Sequence, residues 1–350
     1  MKQETNKAFF LLSSLPITVS RFHLCTWDIE HADALVEVGI EFSFEGSQPP
    51  EDSPTPMFRL ILPFALSSDI SSSAISLHRN LKDTSNCKFI FNDIVKNLAP
   101  IKGEDNRYGA EIEFAERKKM ALLPATDIEI KDDVVSFNVP GTSFSESKTK
   151  NFYLRLLLRP RVNTLAYERA GIAKSTLIYD VKLNEKRNLP ESVHEFLDSG
   201  FSLCKIDSCF CFHIVPNTFD ISFVAQPHLK NIRGLEVSAF KKYLPEDLKT
   251  LQEGHYTIVF NKQEKQNSFS FFTVFSKERI GSEQIVFAII ANMLCSLLFG
   301  MYALRISRDP KRPLIEQLPY EYAFAIIILI LGIAYLGWPW AKRIKRFSRS

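Results

Sequence analysis

The chain has 350 residues, enough for one large domain or two, so it can bury a core without disulfide or metal staples. Its formal charge is +3, yet residues 1–280 carry 34 basic and 36 acidic side chains while the last 70 carry 9 and 4. The basic excess thus sits at the C-terminal end. That excludes a strongly basic nucleic-acid-binding body, and 45% hydrophobic residues with only 13 Gly and 18 Pro exclude a disordered or collagenous chain.

At the N-terminus, Lys2 and Lys7 precede an apolar Ala8–Leu12. Glu4, Ser13, Ser14 and Pro16 interrupt the run, and no small-x-small site follows, which argues against a signal peptide. From there to residue 280 the commonest pattern is alternation with period two, the mark of half-buried strands. Ile17–Cys25 comes first. Val36–Phe44 is clearest, with Val36, Val38, Ile40, Phe42 and Phe44 on one face and Glu37, Glu41 and Ser43 on the other.

A Pro-rich loop at Gln48–Pro56 precedes a continuous apolar run, Phe58–Leu66. Ser72–Leu81 predicts a helix, and Lys88–Phe91 and Glu111–Phe114 predict strands. Asp127–Val139 predicts a hairpin turning at Lys131–Asp133. Pro140–Lys150 is a Ser, Thr and Lys-rich boundary. Strands follow at Tyr153–Leu158, Leu177–Leu183 and Phe210–Val215, and helices at Glu191–Ser199 and Glu246–Glu253, each behind a Pro and ahead of a Gly. His255–Phe260 and Ser268–Phe275 predict a second hairpin.

Strands outnumber helices. The pattern predicts a mainly β or α+β cytoplasmic region with a sandwich or barrel-like core, divided as 1–140 and 150–278 or continuous across both. Two charge-free stretches of twenty follow, Ile285–Leu304 and Tyr322–Ala341, each reaching about 30 Å as a helix. They predict a two-helix transmembrane hairpin with a connector at 305–321 and a basic tail at 342–350. Eight basic residues flank the outer ends and four lie in the connector. The expected protein is therefore integral to a membrane, a bacterial inner membrane, with both termini cytoplasmic. Five cysteines outside the spans, an odd number, agree with a reducing compartment.

Candidate chemistry is sparse. Arg155, Arg159 and Arg161 fall close together, and guanidinium groups so placed bind phosphate-bearing ligands. Cys204, Cys209, Cys211 and His213 have zinc-ligand residue types, but strand alternation separates them by about 7 Å, so no metal is expected there. The expected strand puts Phe210 and Phe212 inside and the thiols on its other face. Asn292, Ser296 and Gly300 would make a helix contact or line a pore within the first span. Lys342, Arg343, Lys345 and Arg346 would meet an anionic leaflet.

No acid/base pair, nucleophile motif or metal set stands out, so no catalytic residue and no cofactor is expected. The sequence points to a membrane-anchored sensor, scaffold or partner-binding protein. Its expected partners are the bilayer, a second copy, and a protein or small ligand at the β-rich region, with no nucleic acid. An alternative is an oligomerising two-span effector that permeabilises a membrane when the β-rich region senses a signal; in layout the chain resembles bacterial abortive-infection effectors that join a ligand-sensing domain to two spans. A membrane-bound enzyme is the third reading.

Overall fold

The structure, a computed structural model, describes residues 8–29, 34–46, 55–66, 73–102, 108–161, 165–171, 174–187, 189–240, 242–244, 254–278 and 282–306, together with Ala323, Ile326, Ile327, Ile328 and Ile330. The chain divides into two compact units, residues 1–169 with 176–277, and residues 170–175 with 278–350. The described chain is mainly β, as the alternation predicts.

With strands numbered in chain order, three sheets account for the fold. The largest runs β18 (Leu229–Gly234), β19 (Tyr256–Glu264), β16 (Ser208–Pro216), β2 (Ile17–Trp27), β3 (Leu35–Phe44), β11 (Phe152–Leu158), β8 (Met120–Leu122), β7 (Ala110–Phe114) and β6 (Val95–Pro100). Off this path, β15 (Lys205–Ile206) pairs with β2, and β5 (Ala74–Ser76) with β11. A five-stranded sheet orders β14 (Ser202–Leu203), β1 (Phe10–Ser13), β4 (Met57–Ile61), β10 (Val134–Asn138) and β9 (Thr126–Lys131). A four-stranded sheet orders β12 (Ala166–Ala170), β13 (Lys174–Leu183), β20 (Phe269–Glu278) and β17 (Asp220–Val224).

Alternation divides the large sheet's two faces. On β3, Val36, Val38, Ile40 and Phe42 are fully buried in the main core, with Leu154 and Leu156 of the neighbouring β11 and Phe58 of β4. Each such side chain contributes roughly 1.5–3 kcal/mol by leaving water. The opposite face carries a second core around Trp27, Leu35, Leu157 and Tyr243. Short helices α1 (His78–Leu81), α2 (Thr84–Phe91) and α5 (Val237–Phe240) contribute to that second core alongside residues of β7, β8, β16 and β19, while α3 (Gly141–Ser145) and α4 (Glu191–Asp198) lie elsewhere in the body.

Several elements differ from the sequence expectation. Residues 88–91 are the end of α2, because the Asp83 carboxylate caps the helix at the Ser85 and Asn86 N–H groups and Asn92 closes it in the left-handed region at φ 50°. Ala74–Ser76 is a strand because it finds ladder partners on β11, leaving only the turn α1 as helix. The hairpin at 127–139 is present as β9 and β10. The one expected at 255–275 is not: β19 runs on to Glu264 against β16 and β18, and β20 belongs to the four-stranded sheet. The expected helix at 246–253 and most of the loop at 48–56 lie outside the described residues.

The transmembrane expectation requires correction. The backbone of α6 (Ser282–Ile306) is helical. Among the described residues no helix is long and apolar enough to cross a membrane. The described helices therefore do not support the expected membrane-spanning hairpin. Most of the second stretch, most of the connector and the basic tail with Lys342, Arg343, Lys345 and Arg346 lie outside the described residues.

Candidate functional site: an arginine and aromatic cavity

The second face of the large sheet holds a cavity of about 380 Å³. Strand register shows how distant residues arrive there. One ladder row runs Asn231, Phe260, Phe212, Cys25 and Glu37 across five strands, and the next runs Lys262, Phe210, His23, Gly39 and Arg155. A third places Arg21 beside Glu41 and Glu41 beside Tyr153. The helical side is closed by Phe89, Phe91 and Phe240.

At the floor lies a buried polar network. Arg155 Nε and Nη2 reach Glu37 Oε2 at 2.7 and 2.6 Å. Trp27 Nε1 donates to Glu37 Oε1 at 2.8 Å, and the Tyr243 hydroxyl donates to Oε2 at 2.7 Å. Arg155 Nη1 donates to the Tyr153 hydroxyl at 3.1 Å, which lies 3.4 Å from His23 Nδ1. Gly39 makes this possible, since a Cβ there would overlap the Tyr153 hydroxyl. Burial opposes ionisation of both phenols, and the Glu37 carboxylate keeps the Arg155 pKa above its ordinary value despite burial.

Nearer the mouth, Glu41 serves two arginines. Arg117 Nη2 is 3.0 Å and Arg21 Nε 3.7 Å from the same Oε2, while Asn151 Nδ2 donates to Oε1 at 3.0 Å. Arg117 is aimed from its backbone: the Asp93 carboxylate accepts from the N–H groups of Ile94, Glu116 and Arg117, at 2.9 Å for the last. Its Nη1 also donates to the Phe91 carbonyl at 3.2 Å. Burial and the neighbouring Arg21 both pull the Arg117 pKa down. Arg233 is exposed at the rim on the outermost strand β18.

Four arginines thus face two glutamates. His23 adds no charge at neutral pH, because burial and then Arg155, Arg117 and Arg21 hold its pKa well below the usual histidine range. Cys25 is buried and its thiol pKa is raised, first by burial and then by Glu37. Phe210, Phe212 and Phe260 form the apolar wall, with Phe212 and Phe260 stacked at 4.5 Å and 9°, and Phe210 and Phe260 at 5.9 Å and 10°. The cavity therefore offers concentrated positive charge beside aromatic surface.

The arginine cluster expected from sequence separates here. Arg155 lies at the cavity floor; Arg159 and Arg161 fall beyond the end of β11 and do not line it. Cys209, Cys211 and His213 do share one face of β16, but that face is the main core, with Cys211 Sγ 3.6 Å from His213 Nε2 and His213 Nδ1 2.8 Å from Thr26 Oγ1. The phenylalanines line the cavity, the reverse of the sequence expectation. Cys204 is buried in the same core. Among the described residues no group of three or more His, Cys, Asp or Glu is placed to hold a metal ion.

Asn292, Ser296 and Gly300 are exposed on α6, and the Ser296 hydroxyl donates to the Asn292 carbonyl one turn back at 2.9 Å. Arg21, His23, Glu41 and Arg117 were not legible as a site in the sequence. For Arg21, His23 and Glu41 the one signal is polar residues alternating with buried apolar ones on β2 and β3, while Arg117, in the connection between β7 and β8, carries none. The fold and the cavity define a β-rich protein with a cationic, aromatic-walled recess. Comparison with known protein families and with curated proteins finds no match to this chain.

Proposed function

We propose that the β-rich body is a non-enzymatic recognition module, a sensor or partner-binding protein whose cavity takes a small anionic ligand. The observation that carries this reading is the excess of guanidinium over carboxylate in a concave, apolar-walled space: Arg21, Arg117, Arg155 and Arg233 against Glu37 and Glu41. Such an excess raises the local potential and favours an anion, more strongly where the walls exclude water.

Recognition is favoured over catalysis by the protonation states. A general base works best with a pKa near the operating pH, whereas His23 is held far below it and the Cys25 thiol far above its usual range. The floor residues already satisfy one another, which suits a preorganised binding surface. The same network joins the cavity floor to Tyr243, just beyond α5.

The test is a thermal-shift titration with phosphate, sulfate and small aryl phosphates and carboxylates at low ionic strength. Wild type should gain stability with at least one of these anions, by RT ln(1 + [L]/Kd), and Arg21→Gln should lose most of that gain. A panel that leaves wild type unmoved, or moves wild type and variant equally, would overturn the reading.

A further inference from the structure

Resting on the cavity as an anion site, we propose that its ligand is a phosphomonoester carrying a planar aromatic group, the chemistry of a nucleoside monophosphate. The phosphate lies between Arg21 and Arg117, and the aromatic group packs against the wall of Phe210, Phe260 and Phe212.

Charge selects the phosphate. Four arginines less two glutamates leave two positive charges at the cavity, and a phosphomonoester carries about −1.5 to −2 at pH 7 whereas a carboxylate carries −1. Geometry agrees. Arg21 Nε and Arg117 Nη2 contact the same Glu41 oxygen at 3.7 and 3.0 Å, so they lie at most 6.7 Å apart. Glu41 Oε2 already holds those two nitrogens, so a phosphate at the same pair of side chains accepts from their remaining N–H groups. One carboxylate shared by two guanidinium groups leaves donors available, and Arg233 stands exposed at the rim.

The aromatic wall selects the remainder. Three phenylalanine rings lie within about 10° of one plane orientation, and all three are only half-buried. Aromatic pairs gain from edge-to-face or offset contact beyond simple area burial. Arg21 and Lys262 sit 5.7 and 5.1 Å from the Phe210 centroid, so positive charge and aromatic surface adjoin. At about 380 Å³ the space is near the low end for small-molecule sites, room for one base, sugar and phosphate.

Isothermal titration of the full chain tests this, with the four nucleoside monophosphates, phenyl phosphate, benzoate, inorganic phosphate and adenosine as probes. At least one nucleoside monophosphate should bind about tenfold or more tighter than inorganic phosphate and than adenosine. Arg21→Gln and, independently of any folding effect at the core, the exposed Arg233→Gln should weaken every phosphate-bearing probe. Phe212→Leu should weaken the aromatic phosphates and leave inorganic phosphate unchanged.

If inorganic phosphate binds as tightly as every aromatic phosphate, or benzoate as tightly as phenyl phosphate, this inference falls while the anion site stands. If no probe binds, both fall. Circular dichroism of each variant separates lost binding from lost folding.

Discussion

Arg155 on β11 and Glu37 on β3 form a nearly solvent-free ion pair, 2.7 Å from Nε to Oε2, with Trp27 and Tyr243 donating to the same carboxylate. Relative exposure is 7% for Arg155 and 1% for Glu37. Water stabilises neither charge, so each depends on the other.

Removing one member should therefore be costly. Arg155→Met strands a buried carboxylate and should lower unfolding stability by about 3–5 kcal/mol, and Glu37→Leu should cost a similar amount. The double variant should lose less than the two single effects combined. Urea denaturation of the four proteins measures this, and single losses below about 1 kcal/mol would contradict a tightly interdependent pair.

Gly39→Ala probes the same network without touching a charge. The added methyl meets the Tyr153 hydroxyl, which must leave Arg155 and His23. A loss of about 1–3 kcal/mol is expected for such overpacking, with weaker anion binding beside it. A variant as stable as wild type and binding as well would show that Tyr153 has room to move.

Stability should fall in mild acid. Burial pulls His213 down to a pKa of about 3, against about 6.5 in an unfolded chain. Between those values the unfolded chain holds the proton and the native one does not, so stability is whole above about pH 6.5 and declines as pH drops toward 3. One such group gives a slope of about 1.4 kcal/mol per pH unit, and His23 acts in the same direction. His213→Gln should flatten the curve of denaturation midpoint against pH; an unchanged slope would assign the effect to other groups.

The thiols should be inert in the native state. Cys25, Cys87, Cys204, Cys209 and Cys211 are buried, and burial raises every one of their pKa values, Cys87 to about 12. Cys295 is half-exposed. A disulfide reagent at pH 7.5 should label at most Cys295 quickly and the other five only as the protein unfolds. Fast labelling of several sites in folded protein would contradict the described core.

Local pattern revealed part of this arrangement. The alternation of Val36, Val38, Ile40 and Phe42 marked β3 and its core face correctly. The same parity sent Glu37 and Glu41 to the other face, where a single strand gives no sign of cover. The cover comes from α2, α5 and Tyr243, up to 206 residues away in sequence, so the burial of those carboxylates is a tertiary fact. The sequence sets Arg155 beside Arg159 and Arg161, but its companions at the cavity are Arg21, brought in by strand register, and Arg117, placed by the connection between β7 and β8 and its bonds to Asp93 and Glu41. The assignment of Phe210 and the thiols to faces was inverted because both kinds of residue can be buried and alternation alone does not say which core is larger. The transmembrane reading rested on apolar length at the C-terminal end, and that reading is the one the described helices correct.

The most direct measurement is a crystal structure of the full chain grown with the tightest-binding nucleoside monophosphate from the titration. Density for a phosphate touching both Arg21 and Arg117, with a planar ring against Phe212 and Phe260, is the expected result. A cavity that stays empty at saturating ligand, or ligand bound at another surface, would contradict the assignment.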